Sequence, residues 1–225
     1  GKSGTRYMEE WKNFKGLNSH LGAPAPDVDI SFIPRTVRRT MSRMSHFMVH
    51  ATREALQNAG IDLKTVDPNR VAIIMGSTTG SPQMYKDYFF KAYEVGGPEG
   101  QLGTSFFKVM NHSVASNVAS ALDFCGPVLA PSSACSTSSQ AIIMGWEYIQ
   151  SGLYDIVLAG GADELHHTSC EVFDIVFAAS RKYNDRPNES PRPFDKDRDG
   201  LVVSEGAGLV VLESADSMRS RGTKA

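Results

Sequence analysis

The feature that most limits the fold is a repeated grammar, a short uninterrupted apolar run that ends in glycine. Val71-Ala72-Ile73-Ile74-Met75 stops at Gly76, and Asp155-Ile156-Val157-Leu158-Ala159 stops at Gly160-Gly161. Short runs without polar alternation predict strands buried on both faces, hence a parallel sheet covered by helices. Between them lie a brief apolar strand, Val128-Leu129-Ala130, a run of tiny residues from Ser132 to Ser139 around Cys135, and an apolar helix from Ile142 to Ile149 that ends near Gly152. Strand, turn, helix, strand is a βαβ unit. The three apolar runs are therefore expected as neighbouring parallel strands under a right-handed crossover, in a layered α/β fold.

Met44, Phe47, Met48, Ala51, Ala55 and Leu56 recur at helical spacing, which predicts an amphipathic helix over 42–58, stopped by Gly60. A small-residue helix is expected over 112–123, and Gly126-Pro127 turns the chain after it. The first forty residues, with Pro24, Pro26 and Pro34, read as an irregular approach segment. Residues 82–106 read as a helix followed by an exposed excursion, and 181–200 as loop. Leu201-Val202-Val203 and Leu209-Val210-Val211-Leu212 flank Gly206-Ala207-Gly208 and are expected to pair about that turn.

With 225 residues and 41% apolar content, the chain can bury the core of one large domain or two small ones. A formal charge of −2 points to no polyanionic partner such as nucleic acid, so any electrostatic partner must be recognised locally. No run approaches the roughly twenty apolar residues that a membrane span needs, and no charged-then-apolar leader opens the chain. A cytoplasmic protein is expected. Cys125, Cys135 and Cys170 lack CxxC spacing and read as reduced thiols. The chain opens at Gly1 without Met, and its end, Arg219 to Ala225, reads as a basic helix terminus followed by a capping Gly222. That pattern is expected of a piece of a longer protein.

A cysteine between a strand end and a helix start sits near unpaired backbone N–H groups and the positive end of the helix dipole, which favours the thiolate. Ser132, Ser133, Ala134, Ser136 and Thr137 are small, so a thioester can approach Cys135 and its N–H can face a developing oxyanion. From the residues alone two readings stand, a reactive thiol or a buried cysteine that fills space.

Ser133-Ala134-Cys135-Ser136-Thr137-Ser138 resembles the active-site block of the β-ketoacyl synthases. Asp155 to Leu165, Phe173-Asp174, Arg192-Pro193-Phe194-Asp195-Lys196-Asp197-Arg198-Asp199-Gly200 and Ser204-Glu205-Gly206-Ala207-Gly208 resemble that family's further landmarks in order. Lys182-Tyr183-Asn184-Asp185 and Gly76 to Pro82 are similar to the type I synthase of bacterial fatty-acid synthesis. The resemblance implies a thiolase-like fold with a mixed, largely parallel central sheet. Residues 1–225 would be the N-terminal synthase domain, without the family's first strand and its C-terminal half.

It also implies an acyltransferase that needs no cofactor. Cys135 would take an acyl group from an acyl carrier protein; malonyl-carrier protein would then lose carbon dioxide, and its carbanion would attack the thioester. In such a scheme the covalent thioester divides one hard condensation into easier steps. Phe173 corresponds to an aromatic that gates the family's acyl cavity, and Thr79 to a position on its wall. Arg35, Arg38, Arg39 and Arg43 crowd the start of the first helix; the ordinary reading is a solvated face, while the resemblance implies a dock for the acidic carrier. A two-fold homodimer is implied, with the apolar run beside Gly126 as its contact.

The family's two catalytic histidines lie in a glycine- and threonine-rich loop of its C-terminal half. None of His20, His46, His50, His112, His166 and His167 occupies such a loop, so the chain alone is expected to be inert. Three rival readings remain. A polyketide ketosynthase shares these motifs, a non-catalytic chain-length-factor-like subunit would lack Cys135, and a thiolase would lack the Arg192 to Gly200 block.

Asp195, Asp197 and Asp199 before Gly200 open like a calcium loop, but the closing glutamate position is Gly206. These carboxylates are expected to cap turns and pair with Arg192 and Arg198, with no metal bound. His166 and His167 are expected to point different ways as a surface pair, and Cys125 and Cys170 to be packing residues. Gly76, Gly80, Gly160 and Gly161 form no GxGxxG fingerprint, which argues against a dinucleotide site.

Overall fold

Seven strands occur among residues 2–223, the residues that the computed structural model describes. They are β1 (Arg6–Tyr7), β2 (Leu21–Ala23), β3 (Val71–Gly76), β4 (Val128–Leu129), β5 (Ile156–Asp163), β6 (Val203–Ser204) and β7 (Gly206–Glu213). One sheet has the order β1-β2-β6 and the other β4-β3-β5-β7. The chain divides into two compact units, Gly1–Asp27 with Glu164–Gly206, and Val28–Asp163 with Ala207–Ala225. Of the closing segment, Lys224 and Ala225 lie outside the described residues, as does Gly1.

In the larger unit β3 is parallel to both neighbours, with Ile73 opposite Val128 and Val71 to Gly76 opposite Ile156 to Gly161. The three parallel neighbours expected from the apolar runs are present. Successive side chains on a strand point to opposite faces. Val71, Ile73, Met75, Ile156 and Leu158 are buried with Met44, Met48 and Leu56 of the helix Arg43–Ala59 and with Val114 and Val118 of the helix Ser113–Ala121. Ala72, Ile74, Val157 and Ala159 pack instead with Ala141, Ile142 and Met144 of the helix Thr137–Gln150. The result is a helix, sheet, helix sandwich, in which each buried isoleucine contributes about 1.5–3 kcal/mol.

The first long helix ends as its sequence predicts, at Gly60 with φ 61°, whose following residue Ile61 donates to the Leu56 carbonyl at 3.0 Å. Gly222, φ 69°, does the same for the helix Ala215–Ser220. Pro82–Val95 is helical throughout, with a π-wound middle at Lys86–Phe90, and a second helix follows at Gly103–Val109. No helix among the described residues is long and apolar enough to cross a membrane.

Two sequence expectations fail here. The approach segment is not wholly irregular, because β1 and β2 pair antiparallel, Arg6 opposite Gly22, and Trp11 is buried in a 3-10 turn between them. Strands of two and three residues are too short to imprint a period. The runs around Gly206 to Gly208 do not pair with each other. Val203 lies opposite Gly22 in one sheet, whereas β7 neighbours β5 in the other. The close approach belongs to β5, where a Cβ on Gly160 would fall on the Gly208 carbonyl and 2.6 Å from Leu209 Cβ; one on Gly206 or Gly208 would meet nothing within 4 Å.

Candidate active site

The site is assembled where β3 and β5 end beneath the first turn of the helix Thr137–Gln150. Two glycines allow that approach. A Cβ on Gly76 would lie 2.5 Å from both the Pro131 carbonyl oxygen and Thr137 Cγ2, and one on Gly161 would fall on Ser138 Oγ. The chain enters from β4 through residues 130–133, turns through a 3-10 segment at Ala134–Ser136, and continues as the helix. Cys135 is exposed in the middle of that turn. The strand is shorter than expected and a proline-bearing link separates it from the cysteine, but the placement at a helix start holds.

Ala134 has φ 50°, a left-handed conformation that a residue with a side chain keeps only when its surroundings fix it. Thr137 Oγ1 supplies part of that restraint, donating to the Ala134 carbonyl at 2.7 Å and accepting from Ser133 N at 3.0 Å. Ser136 N and Oγ both donate to the Ser133 carbonyl, at 3.1 and 2.8 Å. Asn111 Nδ2 donates to Ser132 Oγ at 2.9 Å. Ser133 Oγ is buried without a hydrogen-bond partner among the described residues. Amides of a first helical turn have no partner upstream in the helix, so the Cys135 N–H is available for an external oxygen.

The loop after β3 adjoins this turn. Asp163, the last residue of β5, accepts from Ser77 Oγ and Thr78 N, each at 2.8 Å, and from Thr78 Oγ1 at 3.0 Å. Thr79, exposed, follows in the same loop before Gly80, whose φ of 74° and contact with the Val109 carbonyl leave no room for a side chain. Sequence reading singled out Thr79 and counted Thr137 only as a small neighbour of Cys135; it missed the roles of Thr78 and Asp163. An acid beside Glu164 after two glycines carries no signal that separates a clamp from a solvated charge.

Phe173 belongs to the other unit. It lies half-buried on the helix His167–Ile175 and packs against Trp11, Leu17, Cys170 and Ala179. The neighbouring Asp174 is 2% exposed and accepts from Asn18 N, Asn18 Nδ2, Ser19 N and Arg181 Nε, at 2.9, 3.0, 3.2 and 2.7 Å. Burial alone would push its carboxyl up, and these donors outweigh it, so the group is held below the ordinary aspartate range.

Of the arginines, Arg35 and Arg39 are exposed, Arg38 is half-buried with Nε lacking a hydrogen-bond partner among the described residues, and Arg43 lies 4.8 Å over the Phe47 ring. The first three sit on or beside a separate helical turn, Arg35–Arg38, and not at the start of the long helix.

Other expectations need correction. His166 and His167 are not a surface pair with divergent rings: the centroids are 4.1 Å apart, His166 is buried, and His167 stacks on Phe14 at 3.6 Å while pairing with Glu171. A helix starting at His167 brings the side chain of its capping residue round to the first turn, which places the two rings together. Cys170 is buried as expected, but Cys125 is exposed and fills no core.

The aspartate loop closes on the protein. Asp199 accepts from Ser180 Oγ, Arg181 N and Lys182 N at 2.7 Å each, and Asp195 pairs with Arg192 at 3.2 Å. Arg198 donates to the backbone carbonyl of Asp195 instead of a carboxylate. Among the described residues no group of three or more His, Cys, Asp or Glu side chains is arranged to hold a metal ion.

A sheet with three parallel strands between helix layers, with a cysteine exposed on the turn that leads into a covering helix, is the arrangement of the thiolase-like fold. The chain belongs to the β-ketoacyl synthase family: the profile described as "Beta-ketoacyl synthase, N-terminal domain" matches residues 7–217. The 3-oxoacyl-[acyl-carrier-protein] synthase 1 of Escherichia coli strain K12 is 35% identical over 227 residues, covering 99% of this chain and 55% of that protein. The granaticin polyketide putative beta-ketoacyl synthase 1 of Streptomyces violaceoruber is 32% identical over 197 residues, covering 85% of this chain and 46% of that one. The crystal structure of a β-ketoacyl synthase from Burkholderia phymatum STM815 superposes with a TM-score of 0.92 at 37% identity, over 100% of this chain and 55% of that one. The chain spans about half the length of the curated relatives it matches.

Proposed function

We propose that this chain is the acyl-accepting part of a 3-oxoacyl-[acyl carrier protein] synthase. Cys135 attacks the thioester of an acyl carrier protein, the Cys135–acyl bond forms, and the carrier thiol leaves with the proton. Malonyl-carrier protein then loses carbon dioxide, and its carbanion attacks the acyl-cysteine to give the β-ketoacyl-carrier product and free Cys135. The observation that carries this reading is the exposed cysteine on a helix-start turn whose peptide is fixed by its neighbours.

Residues 1–225 are read as one domain, supported by a family match that spans both compact units. Thr79 is assigned to acyl-chain binding and so, separately, is Phe173. Arg35, Arg38, Arg39 and Arg43 form the dock for an acidic carrier, and rim charges of this kind act mainly by steering association. The edge strand β4, with Val128 40% exposed, is the contact for a second copy. We place the enzyme in the cytoplasm, as reduced cysteines and the relatives' carrier-protein names favour.

Polyketide synthesis is the second reading, favoured by the Streptomyces violaceoruber relative. A non-catalytic partner role is opposed by Cys135 itself. The test is to mix the chain with acyl-carrier protein and malonyl-carrier protein. The expected result is an acylated chain without β-keto product, and product once the remaining C-terminal half, with the family's histidines, is supplied. Product formation without acylation of the chain would remove the proposal.

A further inference from the structure

One carboxylate sets the course of the loop that backs the cysteine turn. Asp163 Oδ1 accepts from Ser77 Oγ and Thr78 N, and Ser77 Oγ accepts from Gly80 N at 3.1 Å. Thr78 Oγ1 lies 3.0 Å from Asp163 Oδ2 and 3.4 Å from the Ala134 carbonyl oxygen, so its single hydroxyl proton bridges the two as a three-centre bond. The Ala134 carbonyl and the Cys135 N–H are opposite ends of one planar trans peptide. Whatever pins the carbonyl therefore aims the N–H. Ala134 holds its left-handed φ of 50° against this restraint.

We infer that Asp163 is a positioning residue for acyl transfer: through Thr78 it fixes the Ala134–Cys135 peptide so that the Cys135 N–H faces the oxygen of the arriving thioester. This rests on the reading of Cys135 as the acyl acceptor. The geometry separates two substitutions at Asp163. In Asp163→Asn the amide oxygen still accepts from Ser77 and from Thr78 N, while the amide nitrogen donates to Thr78 Oγ1 and leaves the hydroxyl proton to the Ala134 carbonyl. In Asp163→Ala the loop loses its anchor, and the Ala134 carbonyl, still bonded by Thr137 Oγ1 at 2.7 Å, loses the directed second restraint from Thr78.

Two reactions of the same thiol distinguish aim from mere exposure. Alkylation by iodoacetamide needs a reachable thiolate and no oxyanion site, whereas attack on a thioester needs both. Single-turnover acylation of Cys135 by acyl-carrier protein, followed by mass spectrometry on the full chain, is compared with its alkylation. Asp163→Ala should slow acylation by about tenfold or more and alkylation by no more than about twofold, because only acylation uses the aimed N–H. Asp163→Asn should restore acylation to within about threefold of wild type. Thr78→Val should reproduce the acylation defect with the carboxylate in place, and it decides the matter if Asp163→Ala does not fold. Equal slowing of both reactions, an Asn variant as slow as the Ala variant, or unaffected variants would overturn the assignment alone. A wild-type chain that alkylates at Cys135 but accepts no acyl group would overturn the acyl-acceptor reading, and this assignment with it.

Discussion

The small residues around Cys135 left two readings open, a reactive thiol or a buried cysteine that fills space, and its exposure removes the second. Its exposure means that Cys135→Ala should abolish acyl transfer while changing stability by no more than about 0.5 kcal/mol, as calorimetry can check. Asp174 shows the opposite case. Its clamp joins Asn18 to a position 156 residues later, and no local pattern announces a bond across that distance. Asp174→Asn leaves the half-buried Arg181 without its charged partner, and should lower stability at pH 7 by about 1–3 kcal/mol. The sign of the pH dependence follows from a carboxyl depressed in the folded state: the stabilisation is present above the unfolded value near 4 and is lost as pH falls through the lower folded value. Urea melts followed by tryptophan fluorescence should therefore converge for the two proteins as pH falls through that lower folded value. A gap that persists there would assign the loss to shape instead of charge.

Elements built from a continuous apolar run declared themselves; elements built from close approach did not. β3 and β5 are buried on both faces, and the helix Arg43–Ala59 carries its period and its capping glycine in the sequence. β7 was misread because Gly206 and Gly208 look like turn residues, whereas both lie within the strand that neighbours β5. Gly161→Ala tests the approach that places the cysteine turn, since the new methyl would fall on Ser138 Oγ and lie 2.9 Å from the Gly76 carbonyl. Overpacking of this kind costs about 1–3 kcal/mol, and the displaced helix start should also alter the alkylation rate of Cys135. Gly97→Ala, where nothing lies within 4 Å of the added carbon, is the matched control and should be silent in both measurements.

At the scale of the molecule, a net charge of −2 hides a local basic cluster, and only the local value matters for an acidic carrier. Arg35→Glu with Arg39→Glu, both exposed, should lower the association rate with acyl carrier protein by about tenfold at low salt and flatten its salt dependence. Unchanged stopped-flow rates at low ionic strength would move the dock elsewhere. What decides the account as a whole is where an acyl group lands. Limiting acyl-carrier thioester, with each of the three cysteine peptides resolved by mass spectrometry, should place the acyl mass on Cys135 and leave Cys125, also exposed, unmodified. Label shared between Cys125 and Cys135 in proportion to exposure would show that the helix-start turn confers no reactivity, and would contradict the account.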